Sequence, residues 1–207
     1  ALFVPGVLYG DTEYESEAIL PCIISSIIAH TVFSQIFGQA PIFQPGPVSF
    51  EMPRELLPYA IFGVACAAVG FVYVKVFYGM RDHFFARLPI PRTLKPALGG
   101  FLLGVTAMFY PQIIDGGYAW IQSALTGKLL WQTMLILVLM KILATSFTIS
   151  SGGSGGVFGP SVFIGAMLGG AFGAFGHEIA PEWVVHPNSY VLVGMGGFFA
   201  GVAKVPV

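Results

Sequence analysis

The chain has 207 residues, 56% of them hydrophobic and only 9% charged, with a mean hydropathy of +0.81. Soluble domains carry roughly a quarter charged residues, so this composition excludes an ordinary water-soluble globule and makes the bilayer the relevant solvent. Nine Lys and Arg against ten Asp and Glu leave a net charge of -1, which offers nothing for a nucleic acid to condense on.

Crossing the hydrocarbon takes about 20 apolar residues. In chain order such spans are predicted at residues 18–37, 56–80, 94–110, 129–149 and 157–179, with a shorter one at 190–203. Two more apolar pieces, residues 1–9 and Tyr118–Leu125, are too short to span and suit half-helices or re-entrant segments buried among neighbours. Broken helices of this kind point to a transport pathway. The first span is preceded by Asp11, Glu13, Glu15 and Glu17, read as a solvated cap. Lys75, Arg81, Arg87, Arg92 and Lys95 cluster around the hydrophilic link between the second and third spans. The positive-inside tendency places that link, and the acidic stretch with it, in the cytoplasm. Gly165, Gly169 and Gly173 recur every fourth residue and line one face of the fifth span for close backbone approach, and Gly194, Gly197 and Gly201 do the same in the last. Tyr59, Tyr110, Trp131, Trp183 and Tyr190 stand near span ends, where an interfacial aromatic belt is expected, while Trp120 is less easily placed. Glu178 and Glu182 follow the fifth span and are expected at the outer surface.

Cys22 and Cys66 sit in apolar stretches without metal or redox spacing and read as small packing residues. His30 reads as a packing or hydrogen-bonded histidine, His83 and His186 as link residues facing water, and no His, Asp or Glu spacing suggests a metal. The chain begins at Ala1 inside one apolar run and stops at Val207 inside another, so it is expected to be an internal piece with both ends truncated and no readable targeting signal.

The chemistry is concentrated in Ser150-Ser151-Gly152-Gly153-Ser154-Gly155-Gly156-Val157-Phe158-Gly159-Pro160, a nearly uncharged turn running into a long apolar helix. Pro160 fits a first helical turn, where its missing N–H costs nothing, and leaves the amides of Gly156 to Gly159 pointing out of the helix end. Such amides, with the positive end of the helix dipole, favour an anion. The bland alternative is a tight turn between two spans. Lys141, the nearest cation, lies 15 residues back, more than about 20 Å along a straight helix, so dipoles alone are expected to act, which suits passage better than capture. Another class of function is an intramembrane serine protease using Gly152-Gly153-Ser154-Gly155 as a GxSG element and His177 as base. A base must lie within about 3 Å of its nucleophile, and a continuous helix puts His177 some 30 Å away.

Gly156-Val157-Phe158-Gly159-Pro160 resembles the GxFxP signature of the CLC family of voltage-gated chloride channels and chloride–proton antiporters, and Lys141-Ile142-Leu143-Ala144-Thr145 resembles the helix before it. Ala1-Leu2-Phe3 and Val7-Leu8-Tyr9 followed by Asp11-Thr12-Glu13 resemble a linker of the family, and residues 201–206 a later segment, with Val205 where Ala is usual. The resemblance runs from one end of the chain to the other. It implies an all-α, multi-pass membrane fold with tilted, broken and re-entrant helices in inverted repeats, and the whole of residues 1–207 as part of one transmembrane domain, mostly its second half. It also implies a homodimer embedded in lipid with one chloride pathway per subunit, no cofactor and no enzymatic activity. Gly156, Val157, Phe158, Gly159 and Pro160 would form the anion site, with the amides of Val157 and Phe158 in contact. The family's other anion-contacting serine, its gating glutamate and its pore tyrosine match nothing in the chain. Two departures stand out. Val4-Pro5-Gly6 replaces Ala-Ile-Glu, and Val7 occupies a position where proton-coupled members often carry a relay glutamate. Valine carries no proton, which favours a channel over an antiporter.

Overall fold

Helices form every regular element among the described residues of the computed structural model, which are 12–39, 41–46 and 53–203, with side chains described from Ile19 to Val202. They divide into two units, residues 1–42 with 203–207 and residues 43–202.

In the first unit, α1 (Thr12–Phe37) starts six residues earlier than the apolar run. Glu13, Glu15 and Glu17 therefore lie within the opening turns of a helix, not in a separate cap. Pro21 is accommodated inside α1, and the Thr31 hydroxyl donates to the Ile27 carbonyl at 2.8 Å, keeping that polar group satisfied within the helix. Cys22 is half-buried here, whereas Cys66 of the second unit is buried as expected.

The second unit opens with a 3-10 turn (Pro53–Glu55), continues as α2 (Leu56–Gly79) and ends in a π-helical extension (Met80–Phe85) closed by Ala86 N–H to the Arg81 carbonyl at 2.9 Å. This 33-residue run is about 50 Å long, well beyond the hydrocarbon thickness, so it must tilt or protrude. The basic link is correspondingly shorter than expected. Lys75 lies within α2, Arg81 on the π extension, and Lys95 opens α3, leaving Arg87 and Arg92 between the helices. The expected third span is also corrected. α3 (Lys95–Phe109) has 15 residues, about 22 Å and too short to cross. Prolines bracket it, since Pro96 fits the first turn and Tyr110 precedes Pro111.

α4 (Tyr118–Leu125) has the bounds read from sequence and buries Ile121, Ala124 and Leu125, so this short helix is held by protein on its apolar side. Its N-cap Gly117 has φ +69°, and a β-carbon there would run into the Phe163 ring. The Gln122 side-chain amide accepts from Gln44 N–H at 2.9 Å and donates to Gln44 C=O at 3.0 Å, tying down the chain before α2.

The core is the hairpin of α5 (Trp131–Ser150) and α6 (Phe158–Ile179). Trp131 packs on Phe175 at 5.0 Å, Met134 lies against Gly170, and the Lys141 ammonium stands 5.0 Å from the Phe163 ring centre. Later residues of α5 thus face earlier residues of α6, which fixes an antiparallel register. On the other side of α6, β-carbons at Gly165, Gly169 and Gly173 would strike the carbonyls of Gly194, Tyr190 and Pro187. The glycine stripe is the seat of α7 (Ser189–Ala203) and the turn before it. Gly194 returns the contact to Gly165, but Gly197 and Gly201 face open space, so the second glycine series is not a packing stripe of the same kind. Tyr190 departs from the expected interfacial belt as well. It is 1% exposed and stacked on Tyr59 at 4.3 Å, while Trp183 stays 43% exposed.

Candidate anion site at the start of α6

α5 ends in a Schellman motif. Gly152 adopts φ +90°, its N–H bonds the Ile149 carbonyl at 3.0 Å, and Gly153 N–H bonds the Thr148 carbonyl at 3.1 Å. Only a residue tolerant of the left-handed region fits position 152, and a β-carbon on Gly153 would meet the Thr148 carbonyl. The motif reverses the chain and sends Ser154 to Val157 back toward α6.

α6 begins with Val157 as N-cap (φ -94°, ψ -17°), and no side chain among the described residues caps it. Its first ladder bond runs from Ser161 N–H to the Val157 carbonyl at 3.0 Å, and Ser161 Oγ donates to the same oxygen at 2.7 Å. Pro160 brings no N–H to this turn, which also lacks an acidic residue. β-carbons at Gly156 and Gly159 would meet nothing within 4 Å among the described residues, so these two positions have open space where a side chain would stand. Val157 and Phe158 are 44% and 51% exposed, and the Phe158 ring packs edge-on against Phe199 at 4.9 Å.

Gly155, Gly156 and Pro160 line one side of a cavity of about 310 Å³, whose other walls include Thr145, Thr148, Lys141 and Asp115. Of the five residues expected to form the site, Gly156 and Pro160 reach this cavity. Val157, Phe158 and Gly159 continue the chain past it into α6. Val7 lies outside the described residues. The two threonines contribute no donor, because Thr145 Oγ1 donates to the Lys141 carbonyl at 2.8 Å and Thr148 Oγ1 to the Ala144 carbonyl at 3.0 Å.

Lys141 corrects the expectation that no cation stands near. The 15 residues of separation do not run along one straight helix, because the chain reverses at Gly152. The antiparallel register sets Lys141 level with Phe163, six residues past Val157 and about 9 Å along the α6 axis. The side chain is 3% exposed, and its ammonium donates to the carbonyls of Ile113 at 2.7 Å and Asp115 at 2.6 Å. It bolts α5 to the turn before α4, while Asp115, the other charged residue on the cavity, is exposed and has φ +63°. A lone lysine inside a 20-residue apolar span was a signal in its own right, since ionisable groups at membrane depth are costly and seldom idle.

The protease alternative fails on geometry. Ser154 is exposed in the loop, whereas His177 stands 19 residues beyond Phe158 on one helix, about 28 Å away, with Nδ1 at 2.7 Å from the Val184 carbonyl.

A family model described as "Voltage gated chloride channel" matches residues 1–207, the full length of the chain. The chain belongs to the CLC family. CLC relatives include a protein of Ralstonia nicotianae provisionally named ClcB-like chloride channel protein, 30% identical over all of this chain and 48% of its own length. Chloride channel protein CLC-e of Arabidopsis thaliana is 31% identical over 99% of this chain and 32% of its own length. The H(+)/Cl(-) exchange transporter ClcA of Cronobacter sakazakii is 28% identical over 91% and 41%. The chain thus spans about half, or less, of the length of the curated CLC relatives it matches. Among the described residues, four helices long and apolar enough to cross a bilayer agree with a CLC integral membrane protein.

Proposed function

We propose that the protein containing this chain moves chloride or a similar small anion across the membrane, and that the anion rests against the start of α6, at Gly156, Val157, Phe158, Gly159 and Pro160. The observation carrying this reading is a helix start without a side-chain cap, flanked by open glycines, beside a cavity that also holds a buried lysine. Backbone amides and a helix dipole hold an anion without a contact ion pair, so binding can be firm enough to strip water and loose enough to release. Lys141 adds positive potential from a distance, its two donor bonds to carbonyls keeping it from closing on the ion. The protein would act as a homodimer with a pathway in each subunit, and voltage would gate it.

Val7 supports passive conduction, because it places an aliphatic group where a proton-relay acid serves coupled members of the family. The second reading, chloride–proton exchange, is favoured by relatives named as H(+)/Cl(-) exchange transporters. Flux from liposomes carrying the full-length protein separates the two. The channel reading expects chloride efflux that leaves an opposing pH gradient undisturbed, and uphill proton movement driven by chloride would overturn it.

A further inference from the structure

A second cavity, of about 670 Å³, opens where the π extension of α2, the start of α3 and the end of α5 converge, and Arg81, Arg92 and Lys95 line it together with Ser150, Ser151 and Gly152. Its donors are the cations. Ser150 Oγ donates to the Phe77 carbonyl and Ser151 Oγ to the Thr148 carbonyl, so neither hydroxyl hydrogen is available. The α5 carbonyls of Thr148 and Ile149 are already capped by Gly153 and Gly152. Lys95 gives one of its three N–H bonds to the Phe85 carbonyl, and the other two make no hydrogen bond among the described residues. Arg81 Nε pairs with Asp82 at 2.8 Å, both half exposed, and Arg92 is exposed with no partner among the described residues. Three positive charges against one carboxylate leave the cavity a net cation.

The surroundings are apolar. Phe85, Ala86 and Ile149 complete the cavity's lining, Tyr78, 48% exposed, carries the Arg81 guanidinium over its ring at 4.5 Å, Leu94 beside Lys95 is 55% exposed, and the cavity lies at the C-terminal end of a 33-residue apolar run. A ligand matching both features carries a phosphate on an apolar body. We propose that this cavity holds the headgroup phosphate of an anionic phospholipid, with its acyl chains against the exposed aromatic and aliphatic side chains. Free phosphate satisfies the cations but has no use for the apolar flank. This site is separate from the α6 cavity, and its test does not depend on the transport reading.

The probe is phosphatidylglycerol, offered to the full-length protein in phosphatidylcholine nanodiscs and counted by native mass spectrometry. A juxtamembrane cation contributes enough that each one neutralised weakens an anionic lipid about fivefold. R92Q is therefore expected to bind phosphatidylglycerol about fivefold more weakly, R81Q/R92Q more weakly still, and R92K like the parent. Equal retention by parent, R92Q and R81Q/R92Q overturns the proposal. Inorganic phosphate binding lipid-free micelles as tightly as phosphatidylglycerol overturns the lipid assignment. If the double variant does not fold, R92Q decides alone, since Arg92 makes no bond among the described residues that its loss would break.

Discussion

Lys141→Met removes one buried charge from the wall of the α6 cavity and keeps an unbranched side chain of similar reach. At about 10 Å and an effective dielectric near 20, a unit charge contributes roughly 1.7 kcal/mol to an anion at the helix start, so affinity should fall on the order of tenfold. Stability should also change, because the carbonyls of Ile113 and Asp115 lose charge-assisted bonds worth roughly 1.5 to 3 kcal/mol each, partly offset by the desolvation that a buried ammonium no longer suffers. The two effects separate by measuring chloride binding calorimetrically in full-length protein whose thermal transition has been recorded with and without chloride. Lys141→Arg should keep most of the affinity. Asp115→Asn, which removes the opposite charge from the same cavity, should tighten binding. A folded Lys141→Met protein that binds chloride as the parent does would refute the claim that this lysine sets the potential at the site.

Val157→Pro deletes an N–H at the N-cap of α6 and should weaken chloride binding ten- to a hundredfold, about 1.5 to 3 kcal/mol, whereas Phe158→Leu should leave calorimetric affinity near the parent value, because the donors belong to the backbone. Gly169→Ala drives a β-carbon into the Tyr190 carbonyl and should cost about 1 to 3 kcal/mol in thermal or denaturant unfolding, while Gly197→Ala, which meets open space, should be neutral or slightly stabilising. Cysteines replacing Arg81 and Arg87 should react with impermeant thiol reagents only from the cytoplasmic side of intact cells, and labelling from outside would invert the topology.

Hydropathy located the helices because membrane spans are set by local composition. Even the eight-residue α4 has the bounds of its apolar run, Tyr118–Leu125. α3 has 15 residues, shorter than its apolar run, because that run continues through Tyr110 while Pro111 stops the helix. Pairing was harder to read. Nothing local reveals that Gly165, Gly169 and Gly173 receive α7, that Gly197 and Gly201 receive nothing, or that Tyr190 turns inward onto Tyr59. Lys141 shows the same limit most clearly. Its distance from Gly156 depends on a chain reversal that Gly152 makes possible, and only the register of α5 on α6 converts 15 residues of separation into a shared cavity.

The proposed pathway requires an anion lying against the backbone at the start of α6, and crystals of the full-length protein grown in bromide test this most directly. Anomalous density within hydrogen-bond reach of the Val157 and Phe158 nitrogens, weakened in Lys141→Met, is the predicted result. A well-ordered map in which protein carbonyls cap those amides, with bromide elsewhere or absent, would contradict it.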